Sequence, residues 1–383
     1  MKIIIVIKED IKLFPPVISI IKALRELGHE VVVIGHYTDM VSREELQNKG
    51  VRFMSPGFYD VNSSLLSKLK GNLIFRHNVR RILASMSLGG EDYLLWIFQG
   101  KTIALLHRLV DRHPCILHPL EFVDKDIKFF YRILSPCYNA SNTYRKARKV
   151  VSCEYNRAHI LKGILGLENL PFILPNKMIV DEKGLDNPPD DIRDQVASVK
   201  EKLGNRKVIL YQGIYIPGER RLEDFCKAMG LLGDGYVLVI MGGTEADEYE
   251  ELRINFPDAN ILFVPFIPPP YHLLVTSLAH IGILTYFPRS SSLASVINPL
   301  YCAPNKIFEY SRFGIPMIGN DIPGLHYIFR EFGCGVSVNY PMGSSKIREA
   351  IEKIFTDYDA YSRGARSYFD SVDIYATIKD ILR

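Results

Sequence analysis

This 383-residue sequence has few of the features that mark membrane, secreted and metal-binding proteins. It contains no uncharged apolar stretch of roughly 18 residues, which a membrane-spanning helix needs. Its apolar start, residues 3–7, is interrupted at once by Lys8, Glu9 and Asp10 and is too short for a signal peptide. Its six cysteines show neither a C-x-x-C spacing nor a metal-ligand spacing with histidine. We therefore expect reduced thiols, no structural zinc, no disulfide framework and a cytoplasmic protein.

Two motifs that identify common enzyme classes are also missing. No G-x-G-x-x-G follows any predicted strand, so the fingerprint of nicotinamide-dependent dehydrogenases is absent. The H-E-x-x-H pattern of zinc proteases does not occur either. These absences argue against dehydrogenase and zinc protease chemistry.

Acidic residues are scarce in the first half of the chain. Residues 1–178 carry 26 Lys and Arg against 16 Asp and Glu, whereas the remainder carries 21 against 27. Such an asymmetry favours an anionic partner for the first half. The densest basic cluster, residues 68–81, is interleaved with Leu, Ile and Phe. It predicts either a helix that lies on an anionic membrane surface or a solvated helix whose apolar stripe packs on the core. We expect no nucleic-acid partner.

The sequence is rich in short apolar runs that alternate with helical patterns. Continuous Val, Ile and Leu runs predict strands that are covered on both faces, as in parallel sheets. Helical patterns of about 10–15 residues between these runs predict two doubly wound α/β halves. The predicted strands are residues 2–7, 30–35, 51–54, 93–98, 115–118, 150–153 and 172–175, followed by 208–212, 236–241, 261–264, 282–286, 317–319 and 335–338.

A break in this alternation divides the chain. The run P-P-D-D at residues 188–191 interrupts the pattern, and a short charged helix is predicted after it. We therefore predict a first domain over residues 1–178, a linker over 179–206 and a second domain over 207–357. Residues 358–383 are predicted to form helical pieces that are broken at Gly364.

Residues 303–324 are the most informative segment of the sequence. Pro304 suits the start of a helix, where its missing N–H costs nothing. Gly314 can take the left-handed conformation that ends a helix, and Pro316 prevents the helix from resuming. The segment therefore predicts a helix, a short buried strand and a tight turn.

Three polar residues of this segment predict an anion site. Asn305, Lys306 and Glu309 lie at the helix N-terminus or within one turn of it, where free amides and the helix dipole favour an anion. The Glu309 carboxylate lies one turn further in and could accept hydrogen bonds from hydroxyls attached to that anion. A phosphate at the helix tip with a diol beside it is the shape of a nucleotide ribose diphosphate. The alternative is an ordinary capped αβ unit with surface charges.

The full segment resembles the donor-binding segment of retaining, GT-B-fold glycosyltransferases of family 4, in the form P-x-K-x-F-E-Y-x-x-x-G-x-P-x-I-x-x-D-x-P-G. The resemblance implies an α/β protein with two doubly wound Rossmann-like domains that face each other across a cleft. It also implies that the last helix, within residues 358–383, crosses back to the first domain, which would be the acceptor side.

The activity implied by the resemblance is the transfer of a sugar from a nucleotide-diphosphate donor to a glycan or lipid-linked acceptor. Retention of anomeric configuration and a role in surface polysaccharide synthesis are implied in the same way. With a basic first domain, an anionic surface at the inner face of the membrane is a candidate partner. A nucleotide-sugar epimerase of the same fold and a non-catalytic nucleotide- or glycan-binding scaffold remain alternatives.

A glycine and two basic residues open the second half. Gly213 follows the first strand there, and Arg220 and Arg221 come seven and eight residues later. The resemblance implies that Arg220 holds the donor diphosphate, with Arg221 close behind. The alternative is a surface arginine pair at a helix start, where cations are unfavourable without an anion. Gly242 and Gly243 follow the next strand, at the edge where α/β proteins bind ligands, although a tight turn explains them about as well.

The chain departs from the family pattern at two positions. Relatives often carry an arginine directly after the glycine, where this chain has Ile214, and a glutamate eight positions before Glu309, where it has Tyr301. The identity of the donor sugar therefore cannot be transferred. Arg220, Lys306 and helix amides are still expected to neutralise the leaving diphosphate, so we expect no metal and no cofactor.

Two candidate catalytic residues follow a strand of the first half. His118 and Glu121 come at the end of the strand predicted at residues 115–118. Similar enzymes often place a histidine or an acid at this strand end, beside the transferred sugar. A structural histidine is the alternative.

Overall fold

The structure is a computed structural model that describes residues 1–57, 64–86, 88, 92–122, 134–243, 249–257, 259–289 and 292–383. The chain separates into two compact units. Unit 1 comprises Met1–Ile179, Ser292–Ala294 and Asp373–Arg383, and unit 2 comprises Val180–Ser291 and Ser295–Val372.

Unit 1 contains a seven-stranded parallel sheet with the order β3-β2-β1-β4-β5-β6-β7. The chain first adds strands on one side of β1 and then on the other, so the switch point lies between β1 and β4. The strands are β1 (Lys2–Asp10), β2 (Glu30–His36), β3 (Arg52–Met54), β4 (Tyr93–Phe98), β5 (Cys115–His118), β6 (Lys149–Ser152) and β7 (Phe172–Ile173).

Two helices of unit 1 have a boundary that proline or glycine marks in the sequence. The first starts at the Pro15-Pro16 pair, and another ends at Gly166, which has a φ of 60°. The helices are α1 (Pro15–Glu26), α2 (Met40–Asn48), α3 (Leu65–Ser85), α4 (Gly100–Leu106), α5 (Ala140–Lys146), α6 (Tyr155–Leu165) and, at the end of the chain, α17 (Ile374–Leu382). The last helix packs against the first, with a hydrogen bond from Tyr375 to Glu26.

Unit 2 contains a six-stranded parallel sheet with the order β10-β9-β8-β11-β12-β13, and its switch point lies between β8 and β11. Successive residues of β8 enter two different hydrophobic clusters, with Leu210 in one and Ile209 and Tyr211 in the other. Both faces of the sheet are therefore covered, which explains the continuous apolar runs. The strands are β8 (Lys207–Gln212), β9 (Tyr236–Gly243), β10 (Ile261–Pro265), β11 (Ile281–Leu284), β12 (Met317–Asn320) and β13 (Gly335–Val338).

Ten helices between residues 182 and 370 complete the described part of the chain. The helix predicted after Pro304 is present, with Pro304 as its N-cap, and Gly314 follows it with a φ of 66°. The helices are α7 (Glu182–Asp186), α8 (Asp190–Leu203), α9 (Leu222–Leu232), α10 (Glu250–Asn255), α11 (His272–Thr276), α12 (Leu293–Leu300), α13 (Asn305–Arg312), α14 (Pro323–Phe332), α15 (Ser344–Thr356) and α16 (Tyr358–Asp370).

The predicted helix break at Gly364 is wrong. Helix α16 runs through this residue, and a Cβ there would lie 2.2 Å from the Phe332 carbonyl oxygen. The glycine permits a close approach of α16 to the end of α14 and does not interrupt the helix. Residues 358–372 group with unit 2, and α17 groups with unit 1. No helix in the described ranges is long and apolar enough to span a membrane.

Candidate functional site

A cavity of about 400 Å³ lies at the carboxyl edge of the sheet in unit 2, where α/β proteins bind their ligands. The ends of β8 and β9, the segment after β10, and the N-terminus of α13 line it. Six of the predicted donor-binding residues are brought together there: Gly213, Arg220, Gly242, Asn305, Lys306 and Glu309. Arg221 and Gly243 are not among the lining residues.

Two glycines form the floor of this cavity. Gly213 and Gly242 have φ values of 117° and 123°, in the region that glycine favours. A Cβ on Gly242 would lie 3.0 Å from the Gly213 nitrogen, and a Cβ on Gly213 would lie 3.0 Å from Cε and Nζ of Lys306. The floor is therefore bare backbone, which lets the lysine of α13 lie directly over the end of β8.

Lys306 is a half-buried cation at the first turn of α13. Its Nζ lies 4.6 Å from the ring centroid of Tyr211 and 5.9 Å from that of Tyr286. It forms no ion pair with any carboxylate in the described ranges. Burial and, next, the positive charge of Arg220 lower the pKa of Lys306, which is about 7 although the Glu309 carboxylate acts in the opposite direction. The ammonium group is thus held in a setting that an added anion would stabilise.

Arg220 lies over the ring of Tyr286, with its guanidinium carbon 4.5 Å from the ring centroid. One amino group donates to the Thr285 carbonyl oxygen at 3.2 Å, and the other is 3.0 Å from a Glu219 carboxylate oxygen. These contacts orient the fork of the guanidinium and leave its Nε buried without a partner among the described residues. Arg220 can therefore donate to a ligand in the cavity.

Arg221 has a different position from that of its neighbour. It is the N-cap residue of α9, with a left-handed φ of 48°. Its guanidinium pairs with Asp224 at 3.1 Å and lies 5.2 Å from the ring centroid of Phe287. These are the contacts of an arginine that stabilises the start of its own helix, and its role toward the donor stays a prediction.

Glu309 is buried, with 8% of its surface exposed, and both carboxylate oxygens have partners. Gln212 donates a hydrogen bond to Oε2, and His272 Nε2 lies 3.4 Å from Oε1. The other end of the Gln212 amide accepts from Thr276 Oγ1 at 2.8 Å, which fixes its orientation. Burial opposes ionisation, but His272, Lys306 and the Gln212 amide together hold the pKa of Glu309 below its usual value. Glu309 is therefore an oriented carboxylate at the cavity wall.

Sequence reasoning missed several cavity residues, above all Gln212, His272 and Tyr286. The backbone of Tyr286 is held on both sides by the Asn320 amide, at 2.9 and 2.7 Å. Tyr286 OH and His272 Nδ1 are buried without a hydrogen-bond partner in the described ranges, like Arg220 Nε. Buried polar atoms are rarely left unpaired, so three such atoms around one cavity indicate a polar ligand.

The two predicted catalytic residues of unit 1 differ in exposure. His118 is only 1% exposed, its Nε2 lies 3.4 Å from Cys153 Sγ, and its ring packs against Phe98. Burial lowers the pKa of His118 to about 3, so the ring is neutral at physiological pH. Glu121 is exposed after the end of β5. The catalytic role of both residues stays a prediction. Within the described ranges, no three His, Cys, Asp or Glu side chains are grouped so that they could hold a metal ion.

No protein-family model and no curated protein sequence matches this chain. Solved structures do match it over its whole length. HepE from Anabaena, in complex with UDP and glucose, has a TM-score of 0.68 and 13% identity over 100% of this chain and 98% of its own. WaaG, a glycosyltransferase involved in lipopolysaccharide biosynthesis, has a TM-score of 0.64 and 14% identity over the same shares. UDP-GlcNAc 2-epimerase from Neisseria meningitidis, bound to UDP-GlcNAc, has a TM-score of 0.63 and 13% identity, again over 100% and 98%.

At identities this low, structural similarity supports the fold alone. The fold predicted from the sequence is confirmed. The chain has the GT-B architecture of two parallel-sheet α/β domains, which its glycosyltransferase and epimerase neighbours share.

Proposed function

We propose that the protein is a glycosyltransferase that moves a sugar from a nucleotide-diphosphate donor to a hydroxyl group of a glycan or lipid-linked acceptor. The main support is the pair of cations, Arg220 and Lys306, that line one cavity with a bare glycine floor and the N-terminus of α13. Cations, free helix amides and a close backbone approach are together the means by which proteins hold phosphate groups. The HepE neighbour was solved with UDP and UDP-glucose.

In this proposal the donor diphosphate lies between Arg220 and Lys306, and Glu309 accepts hydrogen bonds from the ribose hydroxyls. The bond between the anomeric carbon of the sugar and the diphosphate oxygen breaks. A bond forms between that carbon and the acceptor oxygen, whose proton passes to the leaving diphosphate. The leaving diphosphate gains negative charge as its bond breaks, so the two cations stabilise the transition state more than the bound donor.

Three finer assignments belong to the same proposal. Retention of configuration is supported by the resemblance of residues 303–324. A role in surface polysaccharide synthesis is supported by the fold shared with WaaG, which is involved in lipopolysaccharide biosynthesis. His118 and Glu121 would stand on the acceptor side, in unit 1.

Attachment to the inner face of an anionic membrane is also part of the proposal, and α3 would make the contact. Its buried side is formed by residues such as Phe75 and Val79. Another face carries Leu66, Leu73 and Ile74, whose exposed fractions are 76%, 47% and 41%. These side chains lie among the basic residues of the segment 68–81. An exposed mixture of apolar and basic side chains is the pattern of helices that lie on anionic lipid.

A nucleotide-sugar epimerase is the second candidate, because an epimerase has the same fold with a TM-score of 0.63. The two reactions differ in their products. A transferase consumes the donor in an acceptor-dependent reaction and releases nucleotide diphosphate in equal amount. An epimerase interconverts nucleotide sugars without an acceptor and releases nucleotide diphosphate only as a minor product.

The test begins with a thermal-shift panel of nucleotide-diphosphate sugars and continues with turnover of the donor that stabilises the protein most. Arg220→Gln and Lys306→Ala are each expected to lower turnover by a larger factor than donor affinity. Arg330→Gln, an exposed position on α14, is the control for the lost charge. If Arg221→Gln lowered turnover as much as Arg220→Gln does, Arg221 would also be assigned a contact with the diphosphate. Failure of every nucleotide sugar to bind would refute the proposed function.

A further inference from the structure

A second cavity, of about 510 Å³, lies in unit 1. Its residues come from the C-terminal part of α3, from the 3₁₀ helix His107–Asp111, and from the segments that precede β4 and β5. These segments enter the sheet at its amino edge. Ligands of α/β proteins bind at the opposite, carboxyl edge. The cavity, here called the amino-edge pocket, is therefore separate from the edge at which this fold places its substrates.

Three arginines and one histidine line the amino-edge pocket: Arg80, Arg108, Arg112 and His113. The three arginine side chains are exposed, and none of them forms an ion pair with a carboxylate in the described ranges. Partial burial and the nearby charges of Arg76, Arg108 and Arg112 lower the pKa of Arg80. Like charges gathered in this way repel one another, and a bound anion would relieve that repulsion.

The pocket also has an apolar floor and a fixed polar group. Leu83 and Leu109 are buried beneath the arginines. The Tyr93 hydroxyl lies 2.9 Å from His113 Nδ1. When the phenol donates to Nδ1, the proton of the neutral imidazole is on Nε2, which is then a hydrogen-bond donor. The arrangement combines donors and positive charge at the rim with carbon surface below.

We propose that the amino-edge pocket binds a phosphate-type anion through Arg80, Arg108 and Arg112. Guanidinium groups match phosphate oxygens in bidentate geometry, and several of them together suit a di- or polyphosphate or a terminal phosphate ester. A volume of 510 Å³ lies within the range of small-molecule pockets and exceeds what a single phosphate needs. The apolar floor suits the carbon part of an ester. The anion is either a soluble phosphate compound or the headgroup of a phospholipid, and the experiment below separates the two sources.

The experiment uses the full chain with Arg220→Gln and Lys306→Ala as its background, so that the cations of the cavity in unit 2 are absent. The pocket variant adds Arg80→Gln, Arg108→Gln and Arg112→Gln. A matched control adds Arg52→Gln, Arg330→Gln and Arg363→Gln, three exposed arginines that lose the same charge. Calorimetry with inorganic tripolyphosphate measures the soluble anion. Sedimentation with phosphatidylcholine vesicles that contain phosphatidic acid, against phosphatidylcholine alone, measures the lipid headgroup.

The pocket variant is expected to bind the anion roughly tenfold more weakly or worse, as three exposed charge pairs allow, while the control binds as the background does. A loss for tripolyphosphate identifies a soluble phosphate compound, a loss confined to phosphatidic acid vesicles identifies a lipid headgroup, and either supports the proposal. Equal binding by the pocket variant and the control in both assays would overturn it. Melting temperatures check folding. If the glutamine variant unfolds, Arg→Lys at the same three positions keeps the charge and removes the bidentate fork, and it is still expected to bind more weakly than the background.

Discussion

Binding of a nucleotide diphosphate to unit 2 is expected to take up a proton on Lys306. The pKa of this lysine is lowered to about 7 in the protein alone, chiefly by burial and next by Arg220. At pH 7 about half of the molecules therefore carry a neutral amine in the cavity. A diphosphate that lies against Nζ favours the charged form, so its binding and the protonation of Lys306 are coupled.

The size of this coupling can be worked out for a phosphate in contact with Nζ of Lys306. A phosphate charge about 4 Å from Nζ contributes about 4 kcal/mol at an effective dielectric constant of about 20. This energy corresponds to about three pKa units, which would return the pKa of Lys306 in the complex to near 10. Because the diphosphate binds the form in which Lys306 is protonated, its affinity is greatest below pH 7. The affinity falls by up to about tenfold per pH unit between pH 7 and 10. Uptake approaches about half a proton at pH 7 and about one proton at pH 8.5.

Calorimetry in buffers of different ionisation enthalpy measures this proton uptake, and a pH series measures the slope of the affinity. A nucleotide-diphosphate sugar is the preferred ligand, because it lacks the terminal phosphate that titrates near pH 6. Lys306→Arg keeps the charge at every pH and should abolish the slope, whereas Lys306→Met should abolish the slope and bind more weakly at pH 7. An identical slope in the wild type and Lys306→Met would refute this reasoning.

Three further predictions concern the cavity and α3. Glu309→Ala should weaken nucleotide binding by about 1.5–3 kcal/mol, the range for a hydrogen bond to a charged group, and unchanged affinity of the folded variant in calorimetry would remove Glu309 from the site. Gly213→Ala should lose nucleotide affinity because its Cβ would press on the lysine of the cavity. Gly218→Ala, at a φ of 77° with open space around it, is the control for backbone strain, so equal affinity losses would contradict this prediction. Charge reversal at Lys70 and Arg81, outside the amino-edge pocket, should reduce sedimentation with anionic vesicles, because each charge contributes about 1 kcal/mol to binding and less in high salt. Vesicle binding that is unchanged by charge reversal and by salt would exclude α3 as the contact.

Much of the fold could be predicted from the sequence because burial on both faces leaves a simple signal. All thirteen predicted strands overlap a strand in the structure, since a strand covered on both sides is a continuous apolar run. The α13 helix was predicted equally well, because Pro304 and Gly314 act through local backbone geometry. The break predicted at Gly364 was wrong for the opposite reason. That glycine is required by the close approach of the α14 backbone, and this contact between distant residues cannot be recognised from the local sequence.

The candidate site could be predicted only in part. Gly213, Arg220 and Lys306 come from segments whose glycines, proline and charges are conspicuous in the sequence. Gln212 and His272 are ordinary residues until the sheet is assembled, and neither motif nor spacing distinguishes them. His118 shows the same limit: its place at a strand end was predicted, but its burial among aromatic rings was not.

The sequence alone determined the parallel α/β class, the two halves, and the helix tip that favours an anion, because these depend on hydrophobic periodicity and local backbone chemistry. Only the tertiary structure decided what surrounds that tip. The order β10-β9-β8-β11 brings the ends of β8, β9 and β11 to one edge, so that Gln212 contacts Glu309, 97 residues away, and Tyr286 joins the same wall. In unit 1, the tertiary structure likewise places three arginines together at the amino edge of the sheet. Such contacts depend on strand order and helix packing, which are set by how the whole chain buries its apolar surface. They therefore produce no periodic pattern in the sequence.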